Sequence, residues 1–523
     1  MKTVFVCLSF VFLAKITVLA AEYDLVIRGG RVVDGTGNPA YFADIGIADG
    51  KIVAIGKIRG RGQTELDAKG QVVAPGFIDV HSHAENIERL PLAENFVRMG
   101  VTSLILGNCG SSRTDFSAYF DELEKIGFSA NVASLIGHGS VRAQVIGRNT
   151  DRAPTSEELD EMKKLVEQAM AAGAVGFSTG LIYQPGTFAG TDEIVELAKV
   201  AAAWDGIYVS HMRNEGRGVI SAIEELLLIA READIRAQIS HIKAASESAW
   251  GLSEEMLALI EESRRAGLDI TQDQYMYTAS STGMRQLIPN SAREGGREKF
   301  RERVSDPDTK EKIVQQMLRN LRASGREDYR YAAIAFFRAD PSLNGLRVPE
   351  AAMRKYGRDD LRAQIDLIFE LELEGSASGV FHTMNEEDLR KFLQHPNTMI
   401  AADSSVRTFG SGVPHPRGYG NNARALARYV REEQVLSLED AVRRMTSLPA
   451  TTFRLRGRGQ IAEGYAADLV VFDPETVQDH GTFTDPHQYA TGFKWVLVNG
   501  EIVVADDQHT EARPGTILRN QVF

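Results

Sequence analysis

The sequence predicts an α/β fold: a (β/α)8 TIM-like barrel with a small β-sandwich domain built from both chain ends and an inserted lid. Two observations predict the barrel. Eight short runs rich in Val, Ile and Ala alternate with helical stretches, and several of these runs end in polar residues. The third observation concerns the chain ends, where short strands separated by Gly-containing turns indicate a separate β-domain.

The length and composition predict a globular protein with more than one domain. The chain has 523 residues, of which 43% are hydrophobic and 25% charged, so it can bury a large core. Its formal net charge of -12 gives no basic surface for nucleic acid or for an anionic membrane. These properties favour a small-molecule substrate.

Residues 1–21 are predicted to be an export signal. Lys2 precedes an apolar stretch over residues 4–14, and the small Ala20 suits cleavage at its end. A retained membrane anchor is the alternative, but Lys15 interrupts the apolar stretch, which is shorter than the about 20 residues that a spanning helix needs. The expected protein is therefore exported, periplasmic or extracellular, without stable membrane insertion.

The two cysteines support the same interpretation. Cys7 lies in the predicted signal, so the exported protein would keep Cys109 and could form no internal disulfide. A single thiol in an oxidising compartment is expected to be buried or bound to a metal.

The remaining chain divides into three predicted parts. Residues 22–75 and 451–523 form the two halves of the small β-domain, and residues 76–450 form the barrel. A charged, helical insertion over residues 284–345 is long for a barrel loop. It is interpreted either as a lid over the strand ends or as a solvated helical excursion without a role in the site.

Polar residues occur where a barrel places its catalytic groups, at the carboxyl ends of the strands. His81 and His83 end the first run and, on a regular strand, would project from one face about 7 Å apart. The eight runs occupy residues 76–83, 101–110, 131–139, 174–183, 206–215, 235–244, 268–277 and 398–405. Their polar ends are His81 and His83 in the first run, Cys109 in the second, His211 in the fifth, His241 in the sixth and Asp403 in the eighth.

Each of these residues, considered alone, can be explained by a structural role that needs no metal. His211 and His241 are explained equally well as hydrogen-bonded core histidines, and Asp403 as the cap of the following helix. Together they are a rarer set, because imidazole, thiolate and carboxylate are all good zinc ligands and the strand ends converge at the barrel mouth. The sequence therefore predicts a metal site, with His138 as a candidate to support its ligands.

Several motifs carry a family resemblance. GFIDVHSH, GNCG, GFSTGLIYQPG, SHMRNE, SHIK, ADSS followed by HPRGYG, and GYAADLVVFDP resemble the amidohydrolase superfamily. More narrowly, they are similar to its N-acyl-D-amino-acid deacylases, the D-aminoacylases. The resemblance runs from about residue 22 to the C-terminus. The two histidines alone would indicate the superfamily, whereas Cys109 in the bridging position and the long insertion indicate the narrower branch.

The resemblance implies two metal positions. Cys109, His211 and His241 would hold one tightly bound zinc ion, and His81, His83 and Asp403 a second, weaker position, with Cys109 as a bridge. It also implies that Tyr183, Lys243 and either Tyr275 or Tyr277 bind the substrate carboxylate and the amide region. Two departures, Met276 in place of a common proline and ADSS in place of SDG, leave the metal ligands intact and concern side-chain specificity.

The predicted ligands indicate a reaction. Zinc lowers the pKa of bound water toward about 7, and Asp403 would act as general base on that water and then as general acid on the departing amine. The predicted activity is hydrolysis of N-acyl-D-amino acids to a carboxylate and a free D-amino acid. The alternatives are a hydantoinase- or dihydroorotase-like hydrolase of cyclic amides, a D-residue dipeptidase and a non-enzymatic exported binding protein. The cyclic-amide enzymes often bridge their metals with a modified lysine at the fourth strand, where AVGFSTGLIY has none.

Overall fold

A closed barrel of eight parallel strands forms the centre of the protein, as the sequence predicted. The computed structural model describes residues 22–520, so the predicted signal over residues 1–21 lies outside the described residues. Each strand pairs with the next along the chain, and a bridge between Ser82 and Ser404 joins the first strand to the last. The barrel strands are Phe77–Asp79, Val101–Leu106, Asn131–Gly137, Gly176–Gly180, Ile207–His211, Arg236–Ile239, Ile270–Gln274 and Thr398–Ile400.

The barrel strands are almost entirely buried, because side chains fill the interior and helices cover the outside. Some of the helices begin at a side-chain cap; Thr155 and Glu158, for example, form a capping box at the start of Ser156–Ala171. The α-helices outside the insertion are Glu94–Val97, Phe116–Ile126, His138–Val145, Ser156–Ala171, Thr191–Ala203, Val219–Glu232, Ser253–Arg265, Glu386–Gln394, Arg417–Arg424, Leu438–Met445 and Ser447–Thr452, and a π-helix over Ala425–Glu432 continues Arg417–Arg424.

Both chain ends build one small β-domain, as predicted. A nine-stranded sheet joins five N-terminal strands to four C-terminal ones, and Val72–Pro75 pairs antiparallel with Leu469–Phe472 where the two sets meet. Side chains from both sets share one apolar core. The nine strands are Tyr23–Val32, Tyr41–Ala48, Lys51–Gly56, Gly62–Asp67, Val72–Pro75, Leu469–Phe472, Phe493–Val498, Glu501–Ala505 and Gln508–His509.

The insertion is larger than the predicted residues 284–345. It has its own apolar core, which reaches from Met284 to Phe381. The last helix and strand of this segment alternate like a barrel unit, so the sequence pattern did not separate them from the barrel. Its three antiparallel strands are Ser280–Gly283, Ala332–Phe336 and Ser378–Phe381, and its helices are Asn290–Arg293, Gly296–Ser305, Pro307–Ala323, Val348–Tyr356 and Leu361–Leu373.

The insertion contacts the barrel mouth at the loop that follows the fourth strand. The Tyr183 hydroxyl lies 3.1 Å from Thr282 Oγ1, and Asn290 donates to Thr187 Oγ1 at the same distance. One side of the mouth is therefore covered by the insertion. Across residues 22–520, none of the helices has the length and apolar character needed to cross a membrane.

Candidate metal centre

The structure brings the six predicted ligands together at the carboxyl ends of the barrel strands. Their donor atoms form three overlapping sets, and within each set the atoms lie no more than 4.8 Å apart. The sets are His81, His83 and Cys109; Cys109, His211 and His241; and His81, His241 and Asp403.

The Cys109 thiol occupies the centre of this cluster. Its Sγ lies 3.5 Å from His211 Nδ1, 3.8 Å from His241 Nε2 and 3.4 Å from His81 Nε2. Asp403 closes the other side, with Oδ1 at 3.2 Å from His83 Nε2 and 3.7 Å from His81 Nε2. Cys109 thus contacts histidines from both predicted metal positions, which is the arrangement that a bridging ligand requires.

Three of the six ligands have left-handed backbone conformations. Cys109, His241 and Asp403 have φ values of 53°, 37° and 48°. Residues other than glycine rarely adopt this region, and when they do it is often at functional sites. Gly107, just before Cys109, also has positive φ, and a Cβ there would lie 2.0 Å from the Leu135 carbonyl oxygen. The GNCG turn therefore requires its first glycine in order to present the thiol.

The surrounding carboxylates suit a metal-binding cluster. Asp273 Oδ2 lies 3.3 Å from His81 Nδ1, and Glu215 Oε1 lies 2.9 Å from His241 Nδ1. A carboxylate on Nδ1 fixes the imidazole so that Nε2 faces the cluster as a ligand atom. Two imidazoles oriented in this way, beside a thiolate, fit a borderline-soft divalent ion such as zinc.

Electrostatics favour the ionised forms of both acidic ligands. Burial opposes ionisation of Cys109, but His81 and His211 hold the pKa of the thiol well below its usual value. Burial likewise opposes ionisation of Asp403, whereas Arg417 holds the pKa of this carboxyl well below its usual value. Arg417 Nη2 lies 3.0 Å from Asp403 Oδ2. The cluster therefore contains two anionic ligands.

The predicted substrate residues have different environments. The Tyr183 ring lies 4.8 Å from the His211 ring and faces the cavity beside the cluster. Lys243, only 2% exposed, donates to Glu215 and lies 2.7 Å from His241 Nδ1, so it contacts the ligand shell. Tyr275 is buried beneath Arg417, whose guanidinium carbon lies 4.3 Å from the ring centroid.

Tyr277 lies away from the cluster. Its hydroxyl donates to Asp479, and Arg424 covers its ring at 4.7 Å. The strand that precedes the two tyrosines ends at Gln274. Without the alternation of a strand, the two side chains diverge.

His138 is a structural neighbour of the site. Its Nε2 lies 2.8 Å from Glu193 Oε1, and Arg142 pairs with the same carboxylate. His138 thus hydrogen-bonds to the buried Arg142–Glu193 ion pair behind the barrel mouth, and none of its contacts within residues 22–520 is with the six ligands.

Two arginines that the sequence analysis did not identify give one side of the site a positive charge. Arg407 and Arg417 follow the eighth strand, and Arg407 has no carboxylate partner within ion-pair distance among residues 22–520. Burial and the nearby Arg417 lower the pKa of Arg407 to about 10. Two guanidinium groups next to a single carboxylate, Asp403, form a binding place for an anionic group. The HPRGYG motif contains Arg417, but its functional role becomes recognisable only from its position beside Asp403 in the structure.

Glu215 is a third residue that was missed. It follows His211 in the SHMRNE motif, and Lys243 and His211 hold its pKa well below the usual value despite burial. Its carboxylate is thus ionised and fixes the orientation of His241.

We expect Glu215→Gln to weaken metal binding by about 10- to 100-fold, because an amide holds the His241 imidazole less firmly than a carboxylate. Metal affinity is measured by competition with a chelator. Glu261→Gln is the matched control, since Glu261 pairs with His395 at 2.9 Å outside the site. Equal affinities in the two variants would contradict this assignment.

Sequence comparison places this fold and site in a known family. A sequence profile of the amidohydrolase family matches residues 64–284 and 387–504. The matched residues cover both barrel segments and omit the insertion. The chain belongs to the amidohydrolase family.

Individual relatives identify the branch. The chain is 36% identical to N-acyl-D-glutamate deacylase and 34% identical to D-aminoacylase, both from Alcaligenes xylosoxydans xylosoxydans, with 95% of this chain and 97% of each relative covered. Its resemblance to the D-aminoacylase branch of the family is thereby confirmed.

Solved structures agree with this placement. N-acyl-D-glutamate deacylase from Bordetella bronchiseptica, solved with zinc and a phosphonate mimic of the tetrahedral intermediate, is 34% identical with a TM-score of 0.81, covering 95% of this chain and 99% of that one. A D-aminoacylase described as having a binuclear metal centre is 31% identical with a TM-score of 0.80, covering 95% and 100%. A D-hydantoinase at 15% identity and a TM-score of 0.54, covering 95% and 98%, shares the fold alone.

Proposed function

We propose that this protein hydrolyses N-acyl-D-amino acids to a carboxylate and a free D-amino acid, with zinc as its metal. The observation that carries the proposal is the central Cys109 thiol, which contacts histidines of both candidate metal positions. Relatives that cover nearly the whole chain are named for this activity, and one of them was solved with zinc. We assign a tightly bound ion to Cys109, His211 and His241, and a weaker one to His81, His83 and Asp403.

When bound, zinc supplies Lewis-acid polarisation of the amide carbonyl and makes water a stronger acid. Asp403 is positioned to transfer a proton between the attacking water and the amine nitrogen. One carboxylate oxygen faces the histidines and the other is held by Arg417, so the group is fixed at the edge of the cluster. We assign Asp403 as the general base that accepts a proton from water and then delivers it to the amine nitrogen. Because an amine leaves poorly unless it is protonated, the second transfer is as important as the first.

The rest of the site suits an acylated amino acid. Arg407 and Arg417 offer guanidinium donors to the substrate α-carboxylate, with Tyr275 supporting Arg417 from below. Tyr183 lies where its ring and hydroxyl can contact the amide region. The substrate-binding role of Lys243 stays a prediction, since its ammonium group contacts Glu215.

Cyclic amides are a weaker match for this site. The fourth strand, Gly176–Gly180, continues into Leu181 and Ile182 and offers no lysine to bridge two metals. We also propose that the protein acts after export, on the basis of the N-terminal sequence.

The test is amine release by the zinc-loaded protein from matched N-acetyl-D- and N-acetyl-L-amino acids with acidic, apolar and polar side chains. We expect release from the D series and little from the L series. Turnover of cyclic amides, together with no release from any N-acetyl-D-amino acid, would overturn the proposal. Protein stripped of metal is the control for contaminating amidases.

A further inference from the structure

A cavity of about 350 Å³ opens directly from the metal cluster. Two of the predicted ligands, His83 and Cys109, line it. Arg148, which follows the helix His138–Val145 after the third strand, lines it as well. Its remaining wall comes from the loops after the second, third and fourth strands and from Ser281 and Thr282 of the insertion. Because two ligands line it, the cavity holds part of any substrate that reacts at the cluster.

The positions of the charged groups decide which part of the substrate enters this cavity. Arg407 and Arg417 follow the eighth strand, whereas the cavity lies over the ends of the first four strands. An α-carboxylate held by the two arginines directs the amino-acid part toward the eighth strand. The acyl part then extends past Cys109 toward the loops of the second to fourth strands.

The volume of the cavity exceeds the needs of a small acyl group. Cavities of about 300–1,000 Å³ bind drug-sized molecules, whereas an acetyl group adds a single methyl beyond the reacting carbonyl. The cavity therefore has room for a longer acyl chain.

The charges on the wall indicate what such a chain carries at its end. Arg148 is exposed and lines the cavity, and it makes no ion pair with a carboxylate of residues 22–520. No carboxylate lines the cavity, whose other polar groups include the Cys109 thiol at the cluster, Ser111, Ser140 and Gln184. A cation without a carboxylate partner, in a cavity whose wall carries no carboxylate, is complementary to an anionic ligand.

We propose that this cavity binds the acyl group of the substrate and that Arg148 pairs with a carboxylate at the far end of that group. The preferred acyl donors are then dicarboxylic, such as succinyl. This inference rests on the proposed deacylase function. It adds a specificity residue on the acyl side of the scissile amide.

Two acyl groups of equal length provide the test. N-succinyl and N-butyryl derivatives of one D-amino acid share a four-carbon acyl chain, and only the former ends in a carboxylate. We expect the wild-type protein to favour succinyl in kcat/KM. We expect Arg148→Gln to lower the succinyl-to-butyryl ratio about five- to tenfold, as for loss of one charge-assisted hydrogen bond at a partly solvated site. Arg148→Lys should retain most of the preference.

The controls separate the sources of the carboxylate. Arg322→Gln removes an exposed arginine of the insertion that does not line this cavity, and its ratio should match the wild type. N-acetyl-D-glutamate and N-acetyl-D-glutamine test the amino-acid side chain, and their ratio should not respond to Arg148→Gln. If that ratio falls and the succinyl ratio does not, the cavity holds the side chain and the acyl assignment is wrong.

The two proposals fail in different ways. Turnover of N-acetyl-D-amino acids with a succinyl-to-butyryl ratio that Arg148→Gln leaves unchanged would overturn the acyl assignment alone. No turnover of any D substrate by the wild-type protein would overturn the proposed function and the acyl assignment together.

Discussion

Asp403→Asn is expected to lower kcat by about 10²- to 10⁴-fold, the effect typical of losing a general acid–base group. Asparagine has nearly the same shape as aspartate but cannot accept the proton of the attacking water or return it to the amine. The variant should retain metal at the position proposed for Cys109, His211 and His241, since none of those residues changes. Steady-state kinetics on an N-acetyl-D-amino acid, with metal content measured by mass spectrometry, tests both expectations.

A second buried aspartate provides the control. Asp479 pairs with Arg424 at 3.0 Å, much as Asp403 pairs with Arg417, but it lies away from the cluster. Asp479→Asn should therefore leave kcat near the wild-type value. Normal turnover by Asp403→Asn with a full complement of metal would refute the proton-transfer role.

Cys109→Ala should remove both metal positions and with them the activity. The thiol contacts three histidines of the cluster, and alanine supplies no ligand atom in its place. The loss of metal affinity should exceed the about 10- to 100-fold change expected for a supporting residue such as Glu215. Because an ion that binds the folded protein raises its stability, adding zinc should raise the Tm of the wild type but not that of the variant.

Two further variants make this result specific. Cys109→Ser keeps the size of the side chain but replaces the thiolate with a poorer zinc ligand, so its affinity should lie between those of the wild type and Cys109→Ala. Ser117→Ala, on the exposed side of the following helix, should bind zinc normally. Full zinc occupancy and activity in Cys109→Ala would show that this thiol is not a ligand.

The sequence was most informative where an apolar run ends in a polar residue and a parallel barrel places the ends of its strands together. His81, Cys109 and Asp403 each follow a short apolar run, and parallel barrel strands bring such positions to one end. The fold class is confirmed for the same reason, because each barrel strand pairs with its neighbour in sequence.

The features that the sequence analysis did not predict depend on contacts between residues that are distant in sequence or on the exact ends of the strands. Arg407 lies in a loop and Arg417 at the start of a helix, both after the eighth strand. Their spacing in the sequence does not indicate that they lie beside Asp403. Tyr277, one of the two tyrosines considered for substrate binding, instead donates to Asp479, because the strand ends three residues before it. The insertion was underestimated because its final helix and strand have the same periodicities as the barrel.

The bridge between Ser82 and Ser404 bears on how the protein acquires its metal during folding. His81 and Asp403 are separated by most of the chain, and they meet only when the first strand docks against the last. Contacts of such long sequence separation form slowly, since the entropy of the intervening chain must be lost first. The complete set of predicted ligands is therefore expected to assemble late in folding, and uptake of an ion at the proposed position of His81, His83 and Asp403 would report that the ring of strands has closed.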